Sequence, residues 1–279
     1  MRKISCDKIK NTVAEMVVDA NFYLPDDVLN ALKNGAEKEK SEIGKAVFDQ
    51  ILENNAIASS EKVPICQDTG LVVVFLEIGN EVFIDGDIYS VINEGIRKGY
   101  SEGYLRKSIV KSPINRINTD DNTPAVIHTK IVKGNKIKII IAPKGGGSEN
   151  MSLVKMLKPA DGVDGIRKLV LETIENAGAN PCPPIVVGIG IGGSFEKSAI
   201  LAKEALLRPI NDKSEDNEIA ELEESLLEDI NRLGIGPQGL GGTKTALAVK
   251  INTYPCHIAS LPVAININCH VARHKEVVI

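Results

Sequence analysis

The sequence predicts an α/β or α+β fold, with a helical N-terminal segment and a mixed sheet flanked by helices. Three observations predict it. Apolar residues recur at helical spacing through the first 60 residues, and β-branched runs alternate with helical segments from residue 71 onward. Glycine- and proline-marked turns punctuate the joins, where functional residues are expected to sit. Residues 1–279 read as one domain, with no internal repeat and no low-complexity segment.

Each element has its own signal. Ile4, Ile9, Val13, Met16 and Val17 define a first helix, Asp26 and Asp27 open a second, and a third is expected from Ser41 to about Asn54. The β-branched run at 71–78 reads as a buried strand, and a helix follows near 88–100. Residues 105–124 are too polar for core and too long for a simple connection. The runs 125–132 and 136–142 flank Gly134 and Asn135 and read as a hairpin. Further helices are expected near 163–177, after Ser194 and over 215–233, with strands at 185–194, 245–252 and 261–267.

Bulk properties exclude several function classes. Hydrophobic residues at 43% and charged residues at 25% are those of a folded globular chain. A net charge of −4, aromatics at 4% and no Trp argue against a nucleic-acid surface. No apolar run approaches the roughly 18 residues of a membrane span, and the N-terminus has no signal-like core. A cytoplasmic protein is expected, in a compartment where thiols stay reduced or bind metals.

Two glycine patterns invite a nucleotide reading. Gly188, Gly190 and Gly193 fit GxGxxG in form, but a charged loop follows the helix where a second strand with an acidic ribose ligand belongs. The run 234–244 lacks the order that a phosphate loop requires. Lys144 to Ser148 is the remaining candidate anion cradle, since consecutive glycines let backbone N–H groups approach a charge. A flexible turn is the competing reading there.

Cys66, Cys182 and Cys269 carry the chemistry. Each lies in a polar, glycine- or proline-marked context, and they are widely spaced rather than paired in the CxxC knuckles common in zinc sites. Three scattered thiolates suit an iron–sulfur cluster with one iron left open, a Lewis acid able to polarise a carboxylate or hydroxyl. Buried structural cysteine is the competing reading, and it is the one given to Cys6 and Cys256.

Together Cys66-Gln67-Asp68-Thr69-Gly70, Leu105-Arg106, the glycines of 144–148, Asn180 to Pro184, Leu233 to Gly242 and Cys269 resemble the α subunit of the class I, iron–sulfur fumarate hydratases. The α subunit of tartrate dehydratase is a close relative. The resemblance implies a [4Fe-4S] cluster on Cys66, Cys182 and Cys269. It implies substrate contacts from Gln67, Arg106 and Gly147, an acid role for Asp68, and a histidine near substrate at His257. At His257 the pattern departs, because Pro255 and Cys256 precede it where single-chain members carry an arginine. His270 and His274 read as structural.

The implied reaction is reversible hydration of fumarate to L-malate, a small dicarboxylic acid chemistry. Tartrate dehydration and an iron–sulfur redox sensor are the alternatives. Single-chain relatives carry a second domain that supplies the base. A separate β subunit is therefore the expected partner, completing the site in trans.

Overall fold

In the computed structural model, which describes residues 1–279, the expected strand at 71–78 is an inner strand of a four-stranded sheet. In chain order the elements begin with β1 (Arg2–Ile4), α1 (Cys6–Phe22), α2 (Asp26–Lys38), α3 (Glu42–Glu61), β2 (Leu71–Gly79), β3 (Val82–Ile84) and α4 (Ile88–Glu102). There follow β4 (Val126–Val132), β5 (Ile137–Lys144), the single turn α5 (Gly146–Glu149), β6 (Leu153–Leu157) and α6 (Gly162–Ala177). The chain closes with β7 (Ile185–Gly192), α7 (Phe195–Ala205), α8 (Asn217–Arg232), β8 (Ala246–Tyr254), β9 (Leu261–Asn268) and β10 (Lys275–Val278). No helix is long and apolar enough to cross a membrane.

These elements form two compact units. The first holds residues 1–25, 54–146 and 273–279, and the second holds 26–53 and 147–272. The boundary between them falls inside α3.

In the first unit the sheet order is β10-β5-β2-β4, with β2 parallel to β4 and antiparallel to β5. Val72, Val74 and Leu76 of β2 and Ile137, Ile139 and Ile141 of β5 are fully buried against Ile9, Val13 and Val17 of α1 and Ile92, Ile96 and Tyr100 of α4. Each such aliphatic side chain contributes about 1.5–3 kcal/mol by leaving water. The helices approach closely because α4 has glycine on the facing stripe. A Cβ at Gly95 would lie 2.6 Å from the Lys10 carbonyl oxygen, and one at Gly99 2.2 Å from Val17 Cγ2.

The expected hairpin is corrected here. β4 and β5 do not pair with each other; β2 lies between them. The turn at 133–136 spans the end of β2, where Gly79 N–H donates to the Lys136 carbonyl and Glu81 N–H to that of Gly134. A Cβ at Gly79 would sit 2.3 Å from the Gly134 carbonyl oxygen, so glycine is what lets the strand end fit beneath the turn.

In the second unit the order is β6-β9-β7-β8, with β7 parallel to β8 and antiparallel to β9. Ile185, Val187 and Ile189 point to a core shared with Ile166, Val170 and Ile174 of α6 and Leu226 and Ile230 of α8. The alternate residues, Gly188 and Gly190, face α7: Cβ atoms there would lie 2.2 Å from the Ala202 carbonyl oxygen and 2.0 Å from that of Ser198. Their use is close helix packing.

The glycine run at 241–244 does bind an anion, but one of its own. The Glu39 carboxylate, 2% exposed, accepts from the amides of Lys40, Ser41, Thr243 and Lys244 and from the Thr243 hydroxyl. Burial acts to raise the Glu39 pKa, yet the hydrogen bonds from Ser41, Thr243 and Lys40 outweigh it and hold the group below its ordinary value.

Two stability outcomes follow. A depressed folded pKa means that the contribution of Glu39 is complete above the unfolded value and fades as pH falls through the folded one. Glu39→Gln should therefore cost about 2 kcal/mol near neutrality, a difference that shrinks below about pH 4.3 in urea titrations run against pH. Gly190→Ala should lower stability by about 3 kcal/mol in the same assay, because the added methyl would meet helix backbone rather than a side chain that can swing away.

Candidate active site

In the first unit the turn after α3 is built from the main chain outward. Ile65 is buried and bridged on both sides, its N–H donating to the Asn21 carbonyl and its carbonyl accepting from Asn54 Nδ2. Cys66 then emerges partly exposed, and its sulfur accepts the Asp68 N–H at 3.4 Å. Gln67 is exposed. The Asp68 carboxylate is held by two glycine amides, Oδ1 accepting from Gly70 at 3.0 Å and Oδ2 from Gly146 at 2.8 Å. Of the run 144–148 expected as an anion cradle, one amide, that of Gly146, is given to Asp68.

Glycine is required on both sides of that clamp. Gly70 has φ +77 and a Cβ there would lie 2.7 Å from the Lys144 amide nitrogen, while a Cβ at Gly145 would approach Asp68 Oδ2 to 3.2 Å.

Three carbonyls of the same turn, those of Asp68, Thr69 and Gly70, are engaged by side chains. Arg273 donates to that of Asp68, and the buried Tyr100 hydroxyl lies 2.7 Å from the Thr69 carbonyl oxygen and 3.0 Å from that of Gly70. Asn122 Nδ2 also donates to Gly70. Burial pushes the Tyr100 phenol up, so it remains a donor.

Arg106 has an exposed side chain on a fixed main chain, since the Thr69 hydroxyl donates to its carbonyl at 2.8 Å. The loop that carries it is pinned at its far end by Asp121, which pairs with Arg97 and accepts from Thr123. Burial opposes ionisation of Asp121, but the Thr123 amide and Arg97 prevail and bring its pKa down to about 2. Cys66, Gln67, Asp68 and Arg106 thus share one surface of the first unit.

In the second unit, Cys182 and Cys269 stand at the same end of the sheet. Val186 near the start of β7 pairs with Asn268 at the end of β9, which brings the turns just outside them together. His270 N–H lies 3.3 Å from the Cys182 carbonyl oxygen, and its ring Nδ1 lies 3.1 Å from the same atom. Cys182 is exposed and adopts φ +55, the left-handed region that non-glycine residues occupy at a cost of about 1 kcal/mol or more. Gln238 braces the turn from the glycine-rich loop, donating to the Pro183 carbonyl from its main-chain N–H at 2.8 Å and from Nε2 at 2.9 Å. Gly147 borders this turn, with a hypothetical Cβ 3.4 Å from the Asn180 carbonyl oxygen.

The chain after Gly147 is tied to β9 by a polar network. Glu149 accepts from Lys203 and from Asn266 Nδ2, which also donates to the Ser152 hydroxyl at 2.7 Å.

His257 is not brought to these cysteines. It lies in the exposed loop before β9, with Nδ1 accepting from the Ala259 N–H. The eight residues of β9 separate it from Cys269, about 26 Å at roughly 3.3 Å per residue.

None of the five cysteines forms a disulfide, and no three His, Cys, Asp or Glu side chains are grouped to hold a single metal ion. Of the three cysteines singled out by sequence, Cys182 is exposed and Cys66 and Cys269 are partly exposed, each on a turn. The residues that brace them, Tyr100, Asn122, Gln238, His270 and Arg273, escape sequence reasoning as individuals. Gln238, His270 and Arg273 do lie within motifs that stand out by composition, whereas nothing local marks Tyr100 or Asn122.

Comparison with known proteins agrees with this arrangement of motifs. A family model described as fumarate hydratase (Fumerase) matches residues 10–278. A Methanocaldococcus jannaschii protein provisionally named L(+)-tartrate dehydratase subunit alpha is 50% identical over 273 residues, covering 95% of each chain. The L(+)-tartrate dehydratase subunit alpha of Escherichia coli O157:H7 is 32% identical over 277 residues, 98% of this chain and 91% of that one. The protein of that name from Shigella sonnei shows the same identity and coverage. By the extent of these matches, this chain belongs to the fumarate hydratase (Fumerase) family.

Proposed function

We propose that this chain is the α subunit of an iron–sulfur hydro-lyase that removes water from L-tartrate. The observation that carries the substrate is the near-full-length similarity to tartrate dehydratase α subunits, with 50% identity to one of them. The expectation of fumarate as main substrate yields to it. Fumarate hydration remains the second reading, supported by the description of the family model and by the Gly145-Gly146-Gly147-Ser148-Glu149-Asn150 loop.

Cys66, Cys182 and Cys269 would hold the [4Fe-4S] cluster. The donor chemistry fits: none of the three is tied up in a disulfide, two of them lie on adjoining turns, and the Cys66 sulfur already accepts an amide N–H as a thiolate ligand would. When bound, the cluster supplies a Lewis-acidic iron for a substrate carboxylate and hydroxyl.

The chain's own residues do the rest. The Arg106 guanidinium is free to pair with a carboxylate through parallel N–H bonds, and Gln67 and the Gly147 amide offer neutral donors. Asp68 carries the acid role, giving a proton to the departing hydroxyl. Its two amide partners fix the plane of the carboxyl group, which serves proton transfer by fixing direction. Loss of the hydroxyl from one carbon and the proton from its neighbour leaves an enol of a 2-oxo dicarboxylate plus water. The group that takes the carbon-bound proton is assigned to a separate β subunit, consistent with the naming of the relatives as α subunits. His257 has no part in this scheme within one chain.

Co-expression with a candidate β subunit under anaerobic conditions tests the reading. The pair should contain iron and sulfide and turn over L-tartrate in preference to L-malate, fumarate and mesaconate, while the isolated chain should be inactive. Preference for L-malate would transfer the assignment to fumarate hydration. Alanine at Cys66, Cys182 or Cys269 should abolish iron content and turnover together, and alanine at Cys6 or Cys256 should spare both. Asp68→Asn should keep its iron and lose about 10²- to 10⁴-fold in kcat.

A further inference from the structure

Arg273 is a charged side chain placed where an apolar one would be easier to accommodate. It is 4% exposed, and its Nε and Nη1 have no hydrogen-bond partner. The bond it makes, from Nη2, goes to the main-chain carbonyl of Asp68 rather than to a carboxylate. Burying a guanidinium without an ion pair costs several kcal/mol, and a methionine of similar volume would avoid that cost. Packing therefore does not account for it.

Its position suggests what does. The next two carbonyls of the turn are bound by the neutral groups of Tyr100 and Asn122, so Arg273 is the only one of these three donors to bring a charge. Asn21 lies in the same layer, supporting Ile65 through its main chain and leaving its side-chain oxygen buried without a donor. The opposite side of the turn presents Cys66, Gln67 and the clamped Asp68 carboxylate. A fixed charge under such a loop keeps its effect, because little water is present to screen it.

We propose that Arg273 is a positioning residue, which sets the Cys66–Gly70 turn through the Asp68 carbonyl and holds an un-neutralised positive charge beneath a loop that receives anionic ligands. The inference rests on the dehydratase reading for its effect on turnover, but not for its effect on the turn itself.

The test uses Arg273→Met and Arg273→Lys in the co-expressed αβ enzyme, with two readouts. Hydrogen exchange at the amides of 67–70 should accelerate about tenfold in Met and less in Lys. With iron content retained, kcat should fall about 30-fold or more in Met and about 3- to 10-fold in Lys, with KM within about threefold of the parent. A merely structural role would instead lower melting temperature in both variants and leave kcat per iron-loaded enzyme unchanged. Parent-like exchange at 67–70 in Met would overturn the proposal. If Met does not fold, Lys decides: parent-like exchange and kcat together overturn it, and the intermediate values support it. Should the parent enzyme turn over no four-carbon hydroxy acid, the dehydratase reading fails, while the exchange comparison still judges Arg273.

Discussion

The first unit depends on the capture of one carboxylate by two glycine amides. Asp68 joins Gly70, at the entry to β2, to Gly146, just beyond the end of β5, and these two strands run antiparallel along their whole length. The clamp thus fixes the mouth of the sheet at the point where Cys66 and Gln67 leave it. Without glycine at 70 and 145 the backbone and the carboxylate could not approach so closely. The exposed site residues are therefore placed by main-chain geometry, with side-chain packing confined to the sheet below.

The second unit uses the same device elsewhere. Glu39 fills the loop at 243–244 with a carboxylate that has no route to solvent chemistry. Here a glycine-rich loop is an anion cradle supplied with an internal anion, which stiffens the loop that also presents Gln238 to the Cys182 turn. Both loops match a phosphate-binding pattern in composition. In both, an amide that such a pattern would offer to a ligand is already bonded within its own unit.

That explains what was legible in the sequence. Periodicity located most of the major helices and strands within a few residues because their apolar stripes face local partners, as with Ile9, Val13 and Val17 of α1, although α3, expected to end near Asn54, runs on to Glu61. The hairpin expected at 125–142 failed because strand pairing is non-local: Gly134 looks like a hairpin turn but closes over the end of β2. The short strands β6 and β10 gave little periodic signal and exist through their pairing to β9 and β5. At the site, cysteines and turn residues were legible because their types are unusual in those contexts. Tyr100 and Asn122 were not, since they act from 30 and 52 residues away on the carbonyl of a single glycine, Gly70.

Charge balance gives a further argument for an incomplete site. The turn of the first unit presents a carboxylate and a thiol-bearing residue to any ligand. A dicarboxylate substrate adds two negative charges, and gathering like charges without cations costs several kcal/mol in a partly dry cleft. On this turn's own framework the matching charges are Arg106, exposed and free to reach a ligand, and Arg273, buried and fixed. One mobile cation and one static cation suit one end of a dicarboxylate. Under the proposed reading the other end would fall to the cluster iron, so what this turn still lacks is a base, the group assigned above to a β subunit.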